Sequence, residues 1–481
     1  MSMLDQVSIP VFVLGLRLRY PFAFVYQKYI KGRSQNEQSL YFFLTGLYLG
    51  YYNYGELIYI FLISTAVFDY SEFYLMSDVN VFHIFPGYVL NTTTDGYDFT
   101  FTMPLCVLVL RLIGLVFNYY DGNRQDQEKL SNDMKEVAIK RMPTILEVLG
   151  FSFFPSSFMI GPQFPITRYL DLIVWSLSSA TMKYAIQRAL AGVFYLGVYH
   201  IGSSIITDDF MISDELDTYP FWRKCFYLGI WGRLVFYKYI CIWLLGEGAC
   251  ILFGLGYNGT DKEGNLKFDK IANIRIRVLE NARSHIHYVE SFNINTNQWV
   301  LVYIYKRLRF FGNKYVSQAA VLLFLSVWHG IHSGYYTTFS WNFLPFILFQ
   351  MIEICKKNET FLNYISKQPQ KTIVYIILKL YTFVFIGYCN GPFAVLTFHK
   401  WWHLYKSFYF MGHLLLFWPI YKIFIIKYLL PPKSTSKKHP RRNFLILRTV
   451  SFPKHLKCSI FFLLSFILLL KFHPLLPNCD S

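Results

Sequence analysis

The residue in this chain best suited to chemistry is His329. It sits near the middle of an apolar run, SQAAVLLFLSVWHGIHSGYY (317–336), and Ser317 to Ile352 contain no Asp, Glu, Lys or Arg over 36 positions. Imidazole takes up and releases a proton near neutral pH, so a histidine held there can act as a general base. Trp328 and Gly330 flank it. One is a bulky wall; the other is a position that another backbone or a substrate can approach closely. His332 follows one helical turn later, on a similar face of the expected helix. The competing reading is a packed, hydrogen-bonded core histidine.

Upstream lies FNINTNQW (292–299), with Asn293, Asn295, Asn297 and Gln298 clustered before Trp299. Such amides can orient a carbonyl or stabilise an oxyanion. They are also common helix caps, and spacing alone does not separate the two roles. Lys306, Arg307 and Arg309 come next. They could pair with phosphates or mark a cytosolic helix end.

These residues need a scaffold, and composition says which kind. Hydrophobic residues make up 54% of the 481 and charged residues only 16%; 48 Phe, 38 Tyr and 10 Trp supply far more buriable surface than a disordered chain carries. Mean hydropathy is +0.32. This is the composition of an all-α polytopic membrane protein, with roughly nine to twelve membrane helices at about 20 apolar residues each. Candidate segments are 8–26, 40–52, 55–70, 101–120, 144–162, 186–206, 225–255, 286–305, 317–338, 342–355, 372–398, 407–430 and 457–472. The polar connectors between them are too short for a soluble catalytic domain, so any chemistry belongs to the helical body. The segment Ser8–Tyr26 is interrupted by Arg17 and Arg19 and lacks a small-residue cleavage site, which argues against a cleaved leader.

The net charge of +17 resides mostly in loops such as 28–33 and 437–442, a pattern of cytosolic retention and headgroup attraction that points away from nucleic acid. It would also draw in an anionic soluble substrate. Five ionisable residues, Arg111, Glu147, Arg233, Lys238 and Glu247, fall within or beside apolar segments. At bilayer depth each must face a polar interior, find a partner or reach the headgroups. Eight scattered cysteines form no CxxC pair and read as small buried hydrophobes. Two motifs mislead. Gly254-Leu-Gly256-Tyr-Asn-Gly259 fits GxGxxG but follows a long apolar segment, not a short strand. His399 and His403 have metal-ligand spacing, but the chain has no HH pair, and both read as interfacial or structural.

His329 in WHGIHSGY (328–335), 36 residues after Asn293, resembles the membrane-bound O-acyltransferase family. RLIGLVFNYYDG (111–122), LEVLGFSFF (146–154), GPQF (161–164), WGRLVFYKY (231–239), GLGYNG (254–259), FNINTNQWV (292–300) and YKRLRFFGNK (305–314) are similar to one branch of it. That branch comprises the lysophosphatidylcholine acyltransferases preferring polyunsaturated chains. The resemblance implies a multi-helix fold with a central reaction tunnel over residues 1–438. It implies acyl-CoA and a lysophospholipid as substrates, membrane lipids as surroundings, and neither metal nor cofactor. His329 matches the family's catalytic histidine and Asn293 its paired asparagine; Trp299, Trp328, His332, Asn297, Lys306, Arg307 and Arg309 are candidate substrate contacts. It implies an endoplasmic reticulum membrane enzyme, although Lys437-Lys438 is followed by 439–481, with a short apolar segment at 458–470, where relatives end near a di-lysine. A lipid transporter or scramblase, or a catalytically silent lipid-binding scaffold, would share the composition.

Overall fold

In hydrocarbon every backbone polar group must be bonded within the chain, and the apolar runs accordingly fold as helices. The computed structural model describes residues 18–62, 65, 102–174, 181–342, 359–417 and 423. Its principal helices are α1 (Gln35–Tyr54), α2 (Thr102–Asn123), α3 (Ile145–Ser152), α4 (Ile166–Val174), α5 (Thr181–Ile205), α6 (Phe221–Phe253), α7 (His285–Ser291), α8 (Ile294–Val300), α9 (Lys314–His329), α10 (Ser333–Trp341), α11 (Gln370–Val395) and α12 (Phe398–Ser407). Among the described residues no strand forms, and one isolated bridge joins Thr260 to Leu266. Three of these helices, α2, α6 and α11, are long and apolar enough to cross a membrane. The extension 439–481, most of 8–26 and all of 342–355 beyond residue 342 lie outside the described residues.

Three expected single segments are broken. The 144–162 run gives α3 and then turns, the 286–305 run breaks between α7 and α8, and the 317–338 run breaks between α9 and α10. Each break has a local cause. α3 begins with a capping box between Thr144 and Glu147 and gives way to turns before a Gly161–Pro162 pair. Asn293 takes a left-handed backbone, φ 52° and ψ 45°. Gly330 takes φ 134° and ψ −168°, open only to glycine, and ends α9. His332 therefore does not continue the helix face that carries His329.

The chain forms two compact units. The first draws on Met1–Gly202, Phe236–Ile274 and Asn293–Tyr336. In it α1 packs against the chain just after α3 so closely that a Cβ at Gly46 would lie 1.7 Å from the Phe153 carbonyl oxygen. Arg111, fully enclosed, donates to the carbonyls of Phe151 (2.5 Å) and Ser152 (3.0 Å) and to Ser157 Oγ (2.5 Å). Arg19 donates to the Ser156 carbonyl at 2.8 Å. Glu147 binds Arg141, and Glu247 binds Arg188. Interior charges here are spent on partners within the protein.

The second unit draws on Ser203–Val235, Arg275–Phe292 and Thr337–Ser481. Here α6 and α11 cross at glycines, where a Cβ on Gly232 would stand 2.3 Å from the Gly387 Cα. Small residues let helix backbones approach where lipid offers no hydrophobic drive. Arg233 pairs with Glu280 at 2.5 Å. Trp341 Nε1 donates to Tyr405 Oη at 2.7 Å, and Trp231 Nε1 to Asp208 at 2.7 Å. His403 faces Asp214 at 3.3 Å, in keeping with a structural role.

Overpacking a tight contact costs about 1–3 kcal/mol. Gly387→Ala, whose Cβ would meet the Leu228 carbonyl at 2.3 Å, should lower the thermal midpoint of the detergent-solubilised protein. Gly197→Ala, with open space around it, should leave the midpoint level or slightly raised. Equal midpoints for the two variants would show that the α6–α11 crossing is not close-packed.

Candidate active site

One face of α2 anchors the elements that carry Asn293 and His329. Trp328 Nε1 donates to the Cys106 carbonyl at 3.0 Å, and Cys106 Sγ returns a bond to the Trp328 carbonyl at 3.3 Å. One turn on, the Leu110 carbonyl accepts from Trp299 Nε1 at 2.9 Å. Further along the face Asn118 Oδ1 accepts from Tyr303 Oη at 2.6 Å, and Asp121 binds Arg307 through both oxygens at 3.1 and 2.6 Å. Positions 106, 110 and 118 recur at multiples of four, and 121 completes the face. The partners of 110, 118 and 121, namely 299, 303 and 307, are four apart and rise in the same order, so α8 and its continuation run alongside α2 in the same direction. Phe324 of α9 stacks on Trp299 with ring centroids 5.7 Å apart.

His329 ends α9 and stays partly exposed. Trp328 lies edge-on at 4.6 Å and the buried Tyr335 ring is 5.6 Å away. Tyr335 is also 6.1 Å from His332, so its ring lies close to both histidines. Trp328, hung from α2, is thus one fixed wall beside His329.

Asn293 begins α8 from a left-handed backbone, which asparagine tolerates better than most residues. The loop residue Asn273, 1% exposed, surrounds this start. Its carbonyl accepts from Ile294 N–H (3.1 Å), its Oδ1 from Asn295 N–H (3.0 Å), and its Nδ2 donates to Asn293 Oδ1 (3.3 Å). Glu247 of α6 accepts from the backbone N–H groups of Asn273 (2.6 Å) and Ile274 (3.1 Å). Arg188 of α5 pairs with Glu247 at 3.1 Å.

The remaining candidate residues sort by what they touch. Trp299 and Trp328 commit their indole N–H groups to α2, so they hold the framework. Asn297 lies one turn into α8, its N–H bonded to the Asn293 carbonyl at 3.0 Å. Lys306 pairs with Asp133 and Arg307 with Asp121, the Arg307 guanidinium lying 3.9 Å over the Phe117 ring. Arg309 is exposed, alone of these three basic residues. Sequence reasoning passed over Cys106, Asn118, Asp121, Asn273 and Tyr335. Asn118 and Asp121 did leave a signal, two polar residues three apart in an apolar helix and within a quoted motif.

Residues 88–391 match the family described as MBOAT, membrane-bound O-acyltransferase, a span that includes both Asn293 and His329. The chain is 36% identical over 444 residues to lysophospholipid acyltransferase 5 of Homo sapiens, covering 89% of this chain and 91% of that one. It is 36% identical over 429 residues to the Drosophila melanogaster protein of the same name, covering 84% and 86%. Against the lysophospholipid acyltransferase of Saccharomyces cerevisiae it is 28% identical over 383 residues, covering 71% and 60%. The chain belongs to the membrane-bound O-acyltransferase family.

Removing one member of a buried ion pair costs about 3–5 kcal/mol, because the other charge is left enclosed and unpaired. Asp121→Ala should therefore destabilise the protein strongly, read as a lower thermal midpoint. The double variant Asp121→Ala/Arg307→Met should recover part of that loss. A single variant as stable as wild type would show that Asp121–Arg307 does not anchor α8 to α2.

Proposed function

We propose that the chain transfers a fatty acyl group, preferentially polyunsaturated, from acyl-CoA to the sn-2 hydroxyl of lysophosphatidylcholine, in phospholipid remodelling at the endoplasmic reticulum membrane. Lysophosphatidylethanolamine and lysophosphatidylserine are further acceptors on this reading, and the substrates meet in an interior tunnel. The observation that carries it is the common anchorage of Asn293 and His329. Both are held, through Trp299 and Trp328, from carbonyls one turn apart on α2. The names of the relatives supply the acceptor class.

The chemistry needs little more than these two side chains. His329 removes the proton of the glycerol hydroxyl as its oxygen attacks the thioester carbonyl carbon. The carbonyl electron pair moves onto oxygen, where the neutral Asn293 amide can receive the developing charge. Collapse re-forms the carbonyl and breaks the C–S bond; the thiolate leaves and takes the proton back from the imidazolium. Ester and free CoA result. A thiolate is a good leaving group, so no metal or further cofactor enters this scheme. Arg309, exposed and cationic, is the basic residue this reading offers to CoA phosphates.

A transporter or scramblase with the same interior would work without CoA release and would tolerate loss of His329. A silent scaffold would have no chemical use for either side chain.

The test is lysophosphatidylcholine-dependent CoA release by purified protein given arachidonoyl-CoA. His329→Ala should abolish it. Asn293→Gly keeps the left-handed backbone open while deleting the amide, and should lower kcat by about 10²–10³, the usual cost of one oxyanion donor. Full activity in Asn293→Gly would reduce Asn293 to a backbone role. Folded wild type releasing no CoA with any lysophospholipid would remove the acceptor assignment.

A further inference from the structure

Resting on that reading, we propose that Asn273 is a positioning residue that fixes the Asn293 amide in one of its two orientations, with oxygen inward and the NH2 group presented as a hydrogen-bond donor. Amide orientation is set by neighbours of known polarity. Asn273 has such a neighbour. The Asn295 backbone N–H can only donate, and it lies 3.0 Å from Asn273 Oδ1. That end of Asn273 must be its oxygen, so the other end is its NH2 group. The NH2 group donates to Asn293 at 3.3 Å, and the atom it meets there must accept. Asn293 therefore turns its Oδ1 towards Asn273 and its Nδ2 away.

The anchor is rigid enough to impose this choice. Asn273 is enclosed, so no solvent offers a substitute partner. Its backbone N–H is held by Glu247 at 2.6 Å and its carbonyl by Ile294 N–H at 3.1 Å. Asn295 Nδ2 ties the same loop by donating to the Ile271 carbonyl at 3.0 Å. Arg188 pairs with Glu247 and also reaches the Ile274 carbonyl at 3.4 Å. The chain of command runs from an ion pair through two backbone amides and one side-chain amide to Asn293.

The consequence is a definite role for Asn293 in acyl transfer. With its oxygen turned towards Asn273, the group that Asn293 presents on its other side is the NH2 donor. It serves as a donor to the thioester carbonyl oxygen, whose charge grows during attack.

The experiment uses the full chain in detergent with arachidonoyl-CoA and lysophosphatidylcholine. Asn273→Ala keeps the backbone bonds to Glu247 and Ile294 but frees the Asn293 amide to rotate. It should lower kcat about tenfold, an amount a small misplacement can cause, with both KM values near wild type and a thermal midpoint lowered by the unmet Asn295 N–H. In an Asn293→Gly background the same substitution should change kcat by less than about twofold, since residues acting as one unit are non-additive. Asn293→Asp retains an acceptor facing Asn273 but no donor, and should fall as far as Asn293→Gly. It also tests the proposal if Asn273→Ala fails to fold. Wild-type kcat in Asn273→Ala, losses that multiply in the double variant, or wild-type kcat in Asn293→Asp would each overturn it. If Asn293→Gly alone loses activity while Asn273→Ala does not, acyl transfer by His329 and Asn293 stands and only the orientation fails. If wild type releases no CoA, both fall together.

Discussion

The structure depends on the cost of placing polar groups where water is absent. α2 is an apolar helix, yet along one face it offers the carbonyls of Cys106 and Leu110, the amide of Asn118 and the carboxylate of Asp121. An unmade bond at any of these leaves a donor or acceptor enclosed, a penalty of about 1–3 kcal/mol and more for a charge. That penalty makes register specific. Apolar side chains alone would allow α8 to slide along α2 by a turn, because one methyl packs nearly as well as another. Three donors of α8 and its continuation, Trp299, Tyr303 and Arg307, meeting three acceptors do not allow it, and Trp328 fixes α9 to the same face. The position of Asn293 and of the residue beside His329 is thereby tied to the same few turns of one helix.

Breaking helices in such surroundings exposes backbone groups that must be satisfied locally. The start of α8 shows how this is done. The left-handed turn at Asn293 frees the N–H groups of Ile294 and Asn295, and Asn273 takes both, one with its carbonyl and one with its side chain. The end of α9 uses a cheaper device: Gly330 folds back so that its N–H still reaches Ser326 at 3.3 Å and Val327 at 3.1 Å. Both candidate reacting side chains therefore sit at helix termini, where a side chain is free of the crowding within a helical stack.

Much of this was legible in the residues. The helical, membrane-embedded class followed from composition, and His329 and Asn293 were singled out as candidates by their motifs. The interruptions did not. Runs 286–305 and 317–338 are apolar enough to read as continuous helices, because hydropathy measures burial and is blind to backbone sign. Asn293 and Gly330 were visible as residue types tolerant of positive φ, yet each has an equally good reading as a cap or a packing contact. The pairing of Lys306 and Arg307 was hidden for another reason. Their partners Asp133 and Asp121 lie more than 170 positions away, and no local pattern links them. A cationic run beside an apolar segment looks the same whether it faces phosphate or an internal carboxylate.

Charge is arranged in depth around Asn293, and the arrangement suits an acyl substrate. The Arg188–Glu247 pair bonds the backbone of the loop and not the Asn293 side chain. Its influence reaches Asn293 through backbone N–H groups and the Asn273 amide, both neutral. An ion set directly against a hydrocarbon chain would be desolvated whenever substrate bound, at a cost of several kcal/mol. A neutral amide held by an ion pair at one remove escapes that cost yet keeps a fixed direction. Its dipole is also preorganised, so the charge that develops on a thioester oxygen meets a donor already in place. Polarity thus falls from ion pair to backbone amide to side-chain amide on the way to Asn293, the order that would let the proposed acyl substrate approach without stripping water from a charge.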